Sequence, residues 1–114
     1  MMLEVKGINV ETDVQGFLAH LEEWSEDYAK EQAARDGVQL YNDHWELIYY
    51  FREYHEENMT NPTMHTLIRD LGAKSRNRFL DRKAYEKHIY SLFPCDPIHE
   101  ICKLAGLPLP PPDT

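Results

Sequence analysis

Cys95 and Cys102 are the two thiols of this 114-residue chain, and they carry the most specific chemistry its side chains offer. A thiolate, not a thiol, attacks sulfur or carbon and binds metals. Cys102 falls near the end of an expected helix, where the carbonyl end of the helix dipole disfavours a thiolate. Lys103 favours one only if its side chain folds back. A single helical cysteine also packs well as a small buried hydrophobe, and sequence leaves both roles open. As a redox pair the two thiols fit poorly. Seven residues of helix separate them by about 10.5 Å at a rise of about 1.5 Å per residue, whereas a disulfide needs Cα atoms within about 7 Å. They are expected to be reduced. Cys95, His99 and Cys102 follow i, i+4, i+7 spacing with Glu100 nearby, which nominates three metal ligands. Zinc needs a fourth ligand and convergence, and one straight helix spreads the outer two too far, so no metal is expected. His20, His44, His55, His65, His88 and His99 are scattered, and no serine or carboxylate pair has a catalytic spacing. His44-Trp45-Glu46 is explained by a cap-supporting histidine and a packed tryptophan. There is no glycine-rich phosphate loop. The residues call for no cofactor and no conventional enzyme active site.

The segment that positions Cys102 runs from Leu92 to Thr114. Asp96 can N-cap a helix that opens with Pro97, where a missing N–H costs least. Ile98, Ile101, Leu104 and Ala105 give that helix an apolar side. Gly106 is a natural stop, and Pro108 forbids continuation. The tail from Leu107 to Thr114 has four prolines in eight residues, so it is expected to be extended and polyproline-like. The expected division is therefore a helical domain over 1–106 and an arm over 107–114.

The run Cys102-Lys-Leu-Ala-Gly-Leu-Pro-Leu-Pro resembles the C-terminal signature of the DsrC/TusE family of sulfur-relay proteins, roughly C-K-I-A-G-L-P-K-P followed by a terminal Cys and one more residue. The likeness continues upstream through Gly7 to Asp13, Gly16-Phe17-Leu18, Trp24-Ser25-Glu26, His44-Trp45-Glu46 and Ser91-Leu92-Phe93-Pro94, and so covers nearly the whole chain in order. The resemblance implies a persulfide carried on the penultimate cysteine of a mobile arm. In some members a second cysteine lies eleven positions earlier and can pair with it. Cys102 matches that second position, and the penultimate position holds Asp113. A carboxylate cannot accept or hold sulfane sulfur, because that step needs a thiolate nucleophile. Cys102 is thus the candidate sulfur carrier, and Leu107, Pro108, Pro110 and Asp113 are the candidate partner-binding residues of the arm.

Upstream, Leu3 to Val5 and Ile8 to Val10 alternate in polarity around Lys6-Gly7, which predicts a β-hairpin lying on helices. Asp13 is expected to cap a first helix through Val14, Phe17, Leu18 and Leu21. Ser25 starts a second, with Glu26 and Asp27 in its first turn, running to Gly37. Asn42 is expected to cap the longest helix, about 43–57. Trp45, Ile48, Tyr49 and Arg52 form one stripe on it and Leu47, Tyr50, Phe51 and Tyr54 another, which marks it as the central packing helix. Pro62 breaks the chain, and Thr63 opens a helix ending at Gly72. Lys74 to Arg78 reads as a basic loop, and Asp81 caps a helix ended by Pro94. The fold class is mainly α: a compact array of five to six helices with an N-terminal β-hairpin and an extended C-terminal arm.

The apolar content of 42% is ordinary for a folded domain, and the formal net charge is −8. Such acidity makes a poor non-specific nucleic-acid binder. The segment from Pro62 to Leu92, with Arg69, Lys74, Arg76, Arg78, Arg82 and Lys83, has the outline of a helix-turn-helix. Asp70, Asp81 and Glu86 stand against that, and DNA is the weaker partner. No apolar run approaches the ~20 residues that span a bilayer, and the start lacks the pattern of a signal peptide. The expected location is cytoplasmic, with no membrane partner. The resemblance implies a sulfur carrier or partner for a sulfurtransferase or a dissimilatory sulfite-reductase-type complex. The reading from a different class is a non-catalytic regulatory paralogue that docks on a protein or DNA without carrying sulfur.

Overall fold

The computed structural model describes residues 2–74 and 81–108. Strands β1 (Met2–Val5) and β2 (Ile8–Glu11) pair antiparallel, with Leu3 opposite Val10 and Val5 opposite Ile8. Lys6 and Gly7 both take positive φ, 50° and 83°, as a two-residue turn matching the right-handed strand twist requires. Leu3, Val5 and Val10 turn inward onto Leu18 and Tyr28.

The expected helix after Asp13 does not form. Asp13 instead closes a turn: its Oδ1 accepts from the backbone N–H of Gln15 and of Phe17, each at 2.9 Å. Gly16 sits at φ +93°, which ends any helical run, and Thr12 bridges to Leu18. Only a single 3-10 turn, Leu21–Glu23, precedes the first α-helix.

Among the described residues five α-helices follow: α1 (Glu26–Asp36), α2 (Asn42–Asn58), α3 (Met64–Lys74), α4 (Arg82–Leu92) and α5 (Pro97–Leu104). Ser25 and Asp81 cap α1 and α4 through their side-chain oxygens, accepting from Tyr28 and Ala84. Asn42 is the first residue of α2 rather than its cap. Tyr41 holds the cap position, and its N–H donates to Nδ1 of His44, three residues on, at 3.2 Å. His44 therefore does the capping work expected of it.

The long helix α2 presents one buried face, His44, Leu47, Ile48 and Phe51, with Tyr50 and Tyr54 half-exposed beside it. The element buried most completely is α5, whose Pro97, Ile98, Ile101, Cys102 and Leu104 are all inside. It packs on α1, α2 and α4, and so the shortest helix, not the longest, occupies the centre. Trp24 joins the main core to the smaller cluster under the hairpin. Within the described residues, no helix is long and apolar enough to cross a membrane. The loop bearing Arg76 and Arg78 lies outside the described residues, as do Pro110 and Asp113 of the arm.

Candidate functional site: Cys102 and the root of the arm

Helix α5 starts as its sequence requires. Asp96 Oδ1 accepts from the N–H of His99 at 3.2 Å, and Pro97 takes the first helical position. Its end is a Schellman turn. Gly106 adopts φ +72°; its N–H donates to Lys103 O at 3.2 Å, and the Leu107 N–H donates to Cys102 O at 3.0 Å. In such a turn the residue after the glycine packs near the residue whose carbonyl it binds. Here those two residues are Leu107 and Cys102, and both belong to the main core.

Leu107 is 3% exposed. It was expected on the arm as a partner-binding residue, but its apolar side chain is drawn into this chain's own core by the turn. Pro108 is exposed, so Leu107 is the last buried residue of the described chain.

Cys102 is 0% exposed. Burial, with the Asp96 carboxylate as a smaller contribution, pushes its thiol up to about 12, because removing water penalises the charged form. Lys103 does not fold back to lower it. Its Nζ lies 2.7 Å from Asp36 and 3.7 Å from Glu100, an ion cluster that ties α5 to α1. As folded, Cys102 is a protonated core thiol. Cys95 is exposed and precedes α5 at φ +80°. The two thiols and His99 therefore share no helix face, and His99 instead sets its ring edge-on to Phe17 at 4.9 Å.

The carbonyls beyond Cys102 are held by side chains from elsewhere. Tyr28 Oη donates to Lys103 O at 3.3 Å, and Trp24 Nε1 donates to Leu104 O at 2.8 Å. Arg52 Nη1 donates to Ala105 O at 2.7 Å, and Asn61 Nδ2 donates to Pro108 O at 3.0 Å. The Arg52 guanidinium lies 4.1 Å over the Trp24 ring, a cation–π contact that also places positive charge at a helix C-terminus. Sequence reasoning did not single out Trp24 or Arg52 as functional. The available signal was an arginine in an otherwise apolar stripe of α2, which asks for a buried acceptor.

Two stretches named for other chemistry show different roles. His44 is buried: Nδ1 accepts from Tyr41 N–H, and Nε2 lies 3.1 Å from Leu92 O. That pairing fits the neutral ring, and burial holds its pKa below the usual histidine value. Of the basic residues proposed for nucleic acid, Arg69 lies 3.0 Å from Asp70, which also accepts from Tyr50 Oη at 2.6 Å.

A mainly helical fold, headed by a hairpin and with a glycine turn closing its buried α5, defines the class. Residues 4–112 match the family model described as DsrC like protein. The chain is 37% identical over 109 residues to the "Sulfurtransferase TusE homolog" of Haemophilus influenzae, and 34% identical over 109 residues to "Sulfurtransferase TusE" of Escherichia coli, in each case covering 96% of both chains. Among solved structures, it resembles DsrC of Allochromatium vinosum with a TM-score of 0.83, at 35% identity over 96% of this chain and 95% of that one. It also resembles the oxidized gamma-subunit of the dissimilatory sulfite reductase from Archaeoglobus fulgidus, with a TM-score of 0.79 and 32% identity over 97% of each. The chain belongs to the DsrC/TusE family of sulfur-relay proteins.

Proposed function

We propose that this chain works in sulfur relay beside a sulfurtransferase or sulfite-reductase-type partner in the cytoplasm, with Cys102 as its sulfur-carrying thiol, closed off in the resting fold. The observation that carries this reading is the shared turn. Cys102 and Leu107 are the two ends of one Schellman motif, so movement of the turn pulls directly on the Cys102 backbone. The family resemblance implies a transferring thiol at the position held here by Asp113, which leaves Cys102 as the family-position thiol of this chain. Exposed Pro108 starts the segment that would engage the partner, with Pro110 and Asp113 beyond it.

The transfer step is a thiol–persulfide exchange. The Cys102 thiolate attacks the outer sulfur of a donor persulfide. A new S–S bond forms on Cys102 as the donor's S–S bond breaks, and the donor leaves as its own thiolate with no net oxidation. With the thiol pushed up to about 12 in the closed fold, its proton leaves only once solvent or a partner's base reaches it.

Intact-mass spectrometry after incubation with a persulfide donor tests the reading, using wild type, Cys102→Ser, Cys95→Ser and Asp113→Cys. A DTT-reversible gain of one sulfur, present in Cys95→Ser and absent in Cys102→Ser, is expected. Asp113→Cys is expected to load faster than wild type, because it restores a thiol at the penultimate position where the resemblance implies the carrier. If Cys102 gains no sulfur at any time while Asp113→Cys loads, Cys102 is a core residue and the chain serves the relay by docking alone.

A further inference from the structure

A helix needs little to end at Gly106. The two backbone bonds of the Schellman turn already satisfy Cys102 O and Lys103 O. Yet Leu104 O, Ala105 O and Pro108 O each take a side-chain donor, from Trp24, Arg52 and Asn61 respectively. These donors come from three separate segments: the loop before α1, helix α2 and the loop before α3. Leu104 and Ala105 are fully buried, so Trp24 and Arg52 satisfy carbonyls that water does not reach and thereby fix where the arm root lies. Trp24 and Arg52 are half-buried, and the Asn61 bond is exposed. Losing Trp24 or Arg52 as donor leaves a buried carbonyl unpaired in the closed turn, a penalty that is relieved when the turn opens to water.

We propose that Trp24 and Arg52 form a latch on the arm root, and that opening this latch exposes Cys102 while the helices stay folded. The coupling is mechanical. Arg52 grips Ala105 and stacks on Trp24, Trp24 grips Leu104, and a Cβ at Gly106 would lie 2.6 Å from Trp24 Cδ1, so ring and turn are in direct contact. Releasing these two side chains frees the turn that seats Leu107 beside Cys102. An opening limited to the turn from Leu104 to Pro108 costs less than global unfolding, because it exposes far less apolar surface. Trp24 and Arg52 are positioning residues: they set the access of Cys102 and touch no substrate. The latch rests on these contacts and goes beyond the sulfur-relay reading, which supplies its use.

The test is alkylation of Cys102 by iodoacetamide in the full chain carrying Cys95→Ser, followed by intact mass across urea concentrations below the unfolding transition. Arg52→Gln in that background is expected to label at least about tenfold faster without urea, as loss of a charged hydrogen bond implies. Its rate should be nearly independent of urea, because a local opening exposes little surface. Trp24→Phe keeps the ring, removes the N–H, and is expected to shift the rate the same way by less. Arg52→Lys retains the cation and should fall between Arg52→Gln and the background. Asp81→Ala weakens the cap of α4 and removes no bond of the latch, and its Cys102 labelling should climb with urea at the full slope of unfolding. If Arg52→Gln and Trp24→Phe also label with that full slope, or at the background rate, the latch is overturned. Should Arg52→Gln fail to fold, Trp24→Phe decides by the same criterion. Urea-independent alkylation without persulfide loading would reject the relay reading and keep the latch.

Discussion

Gly106 takes φ +72° directly against Trp24, where a Cβ would stand 2.6 Å from the ring's Cδ1 and 3.1 Å from its Cγ. Two penalties act there at once: the left-handed backbone that L-residues resist, and an overlap with a ring that its hydrogen bond to Leu104 O and the overlying Arg52 hold in place. Gly106→Ala is therefore expected to lower stability by about 1–3 kcal/mol. A lower urea midpoint with an unchanged slope would show it. A midpoint equal to wild type would mean that the Trp24 ring steps aside, and that the turn is held less firmly than its contacts indicate. Four positions earlier, Cys102 shows the same enclosure chemically: its thiol stays protonated because no water reaches it.

At the scale of elements, the caps carry the local code. Asp96→Ala removes the oxygen that accepts from His99 N–H at the start of α5, and should cost about 0.5–2 kcal/mol. Thermal melting in parallel with Asp81→Ala checks this, and a melting temperature unchanged by Asp96→Ala would show that Pro97 and the surrounding core alone fix the helix start. Ser25, Asp81 and Asp96 were legible in the sequence because each precedes an apolar run at helical spacing and nothing competes for its side chain. Asp13 carried the same local signal and did something else. Its carboxylate closes a turn because Gly16 reverses the backbone, and the Gly16 carbonyl is taken by Tyr28 Oη at 2.9 Å and Gln32 Nε2 at 2.7 Å. Those partners lie twelve and sixteen residues away in sequence, beyond the reach of periodicity. The capping of α2 is half legible in its sequence: His44 reads as cap support, whereas Asn42 reads as the cap although Tyr41, one residue earlier, holds that position.

Across the whole molecule, the central place of α5 was the least legible feature. The two apolar stripes of α2 mark that helix as the central one, whereas the burial of α5 comes from α1, α2 and α4 closing around it. The same enclosure leaves an acid-base signature where α5 meets α1. Burial, and then the hydrogen-bonded Asp36 carboxylate, push Glu100 up to about 7 against a partly offsetting Lys103. Asp36 is held below its ordinary value despite its own burial, through hydrogen bonds to Glu100 and Lys103 and the nearby cationic charge. A raised carboxyl binds its proton more tightly folded than unfolded, so the stability it contributes is present at low pH and lost as pH rises from the ordinary glutamate value through about 7. Asp36 has the opposite sign and matters at lower pH, where its contribution is lost as the carboxylate is protonated. His44 also opposes Glu100: held below its ordinary value, it loses stability as pH falls beneath the usual histidine range. The wild-type profile sums these trends, so the informative quantity is the difference from Glu100→Gln, which keeps a neutral hydrogen-bonding side chain at every pH. Urea unfolding at intervals from pH 5 to pH 8 is expected to show Glu100→Gln gaining about 1–3 kcal/mol on wild type over that range. A difference that stays flat, or runs the other way, would mean that Glu100 ionises normally at the α1–α5 junction and that Lys103 compensates both carboxylates.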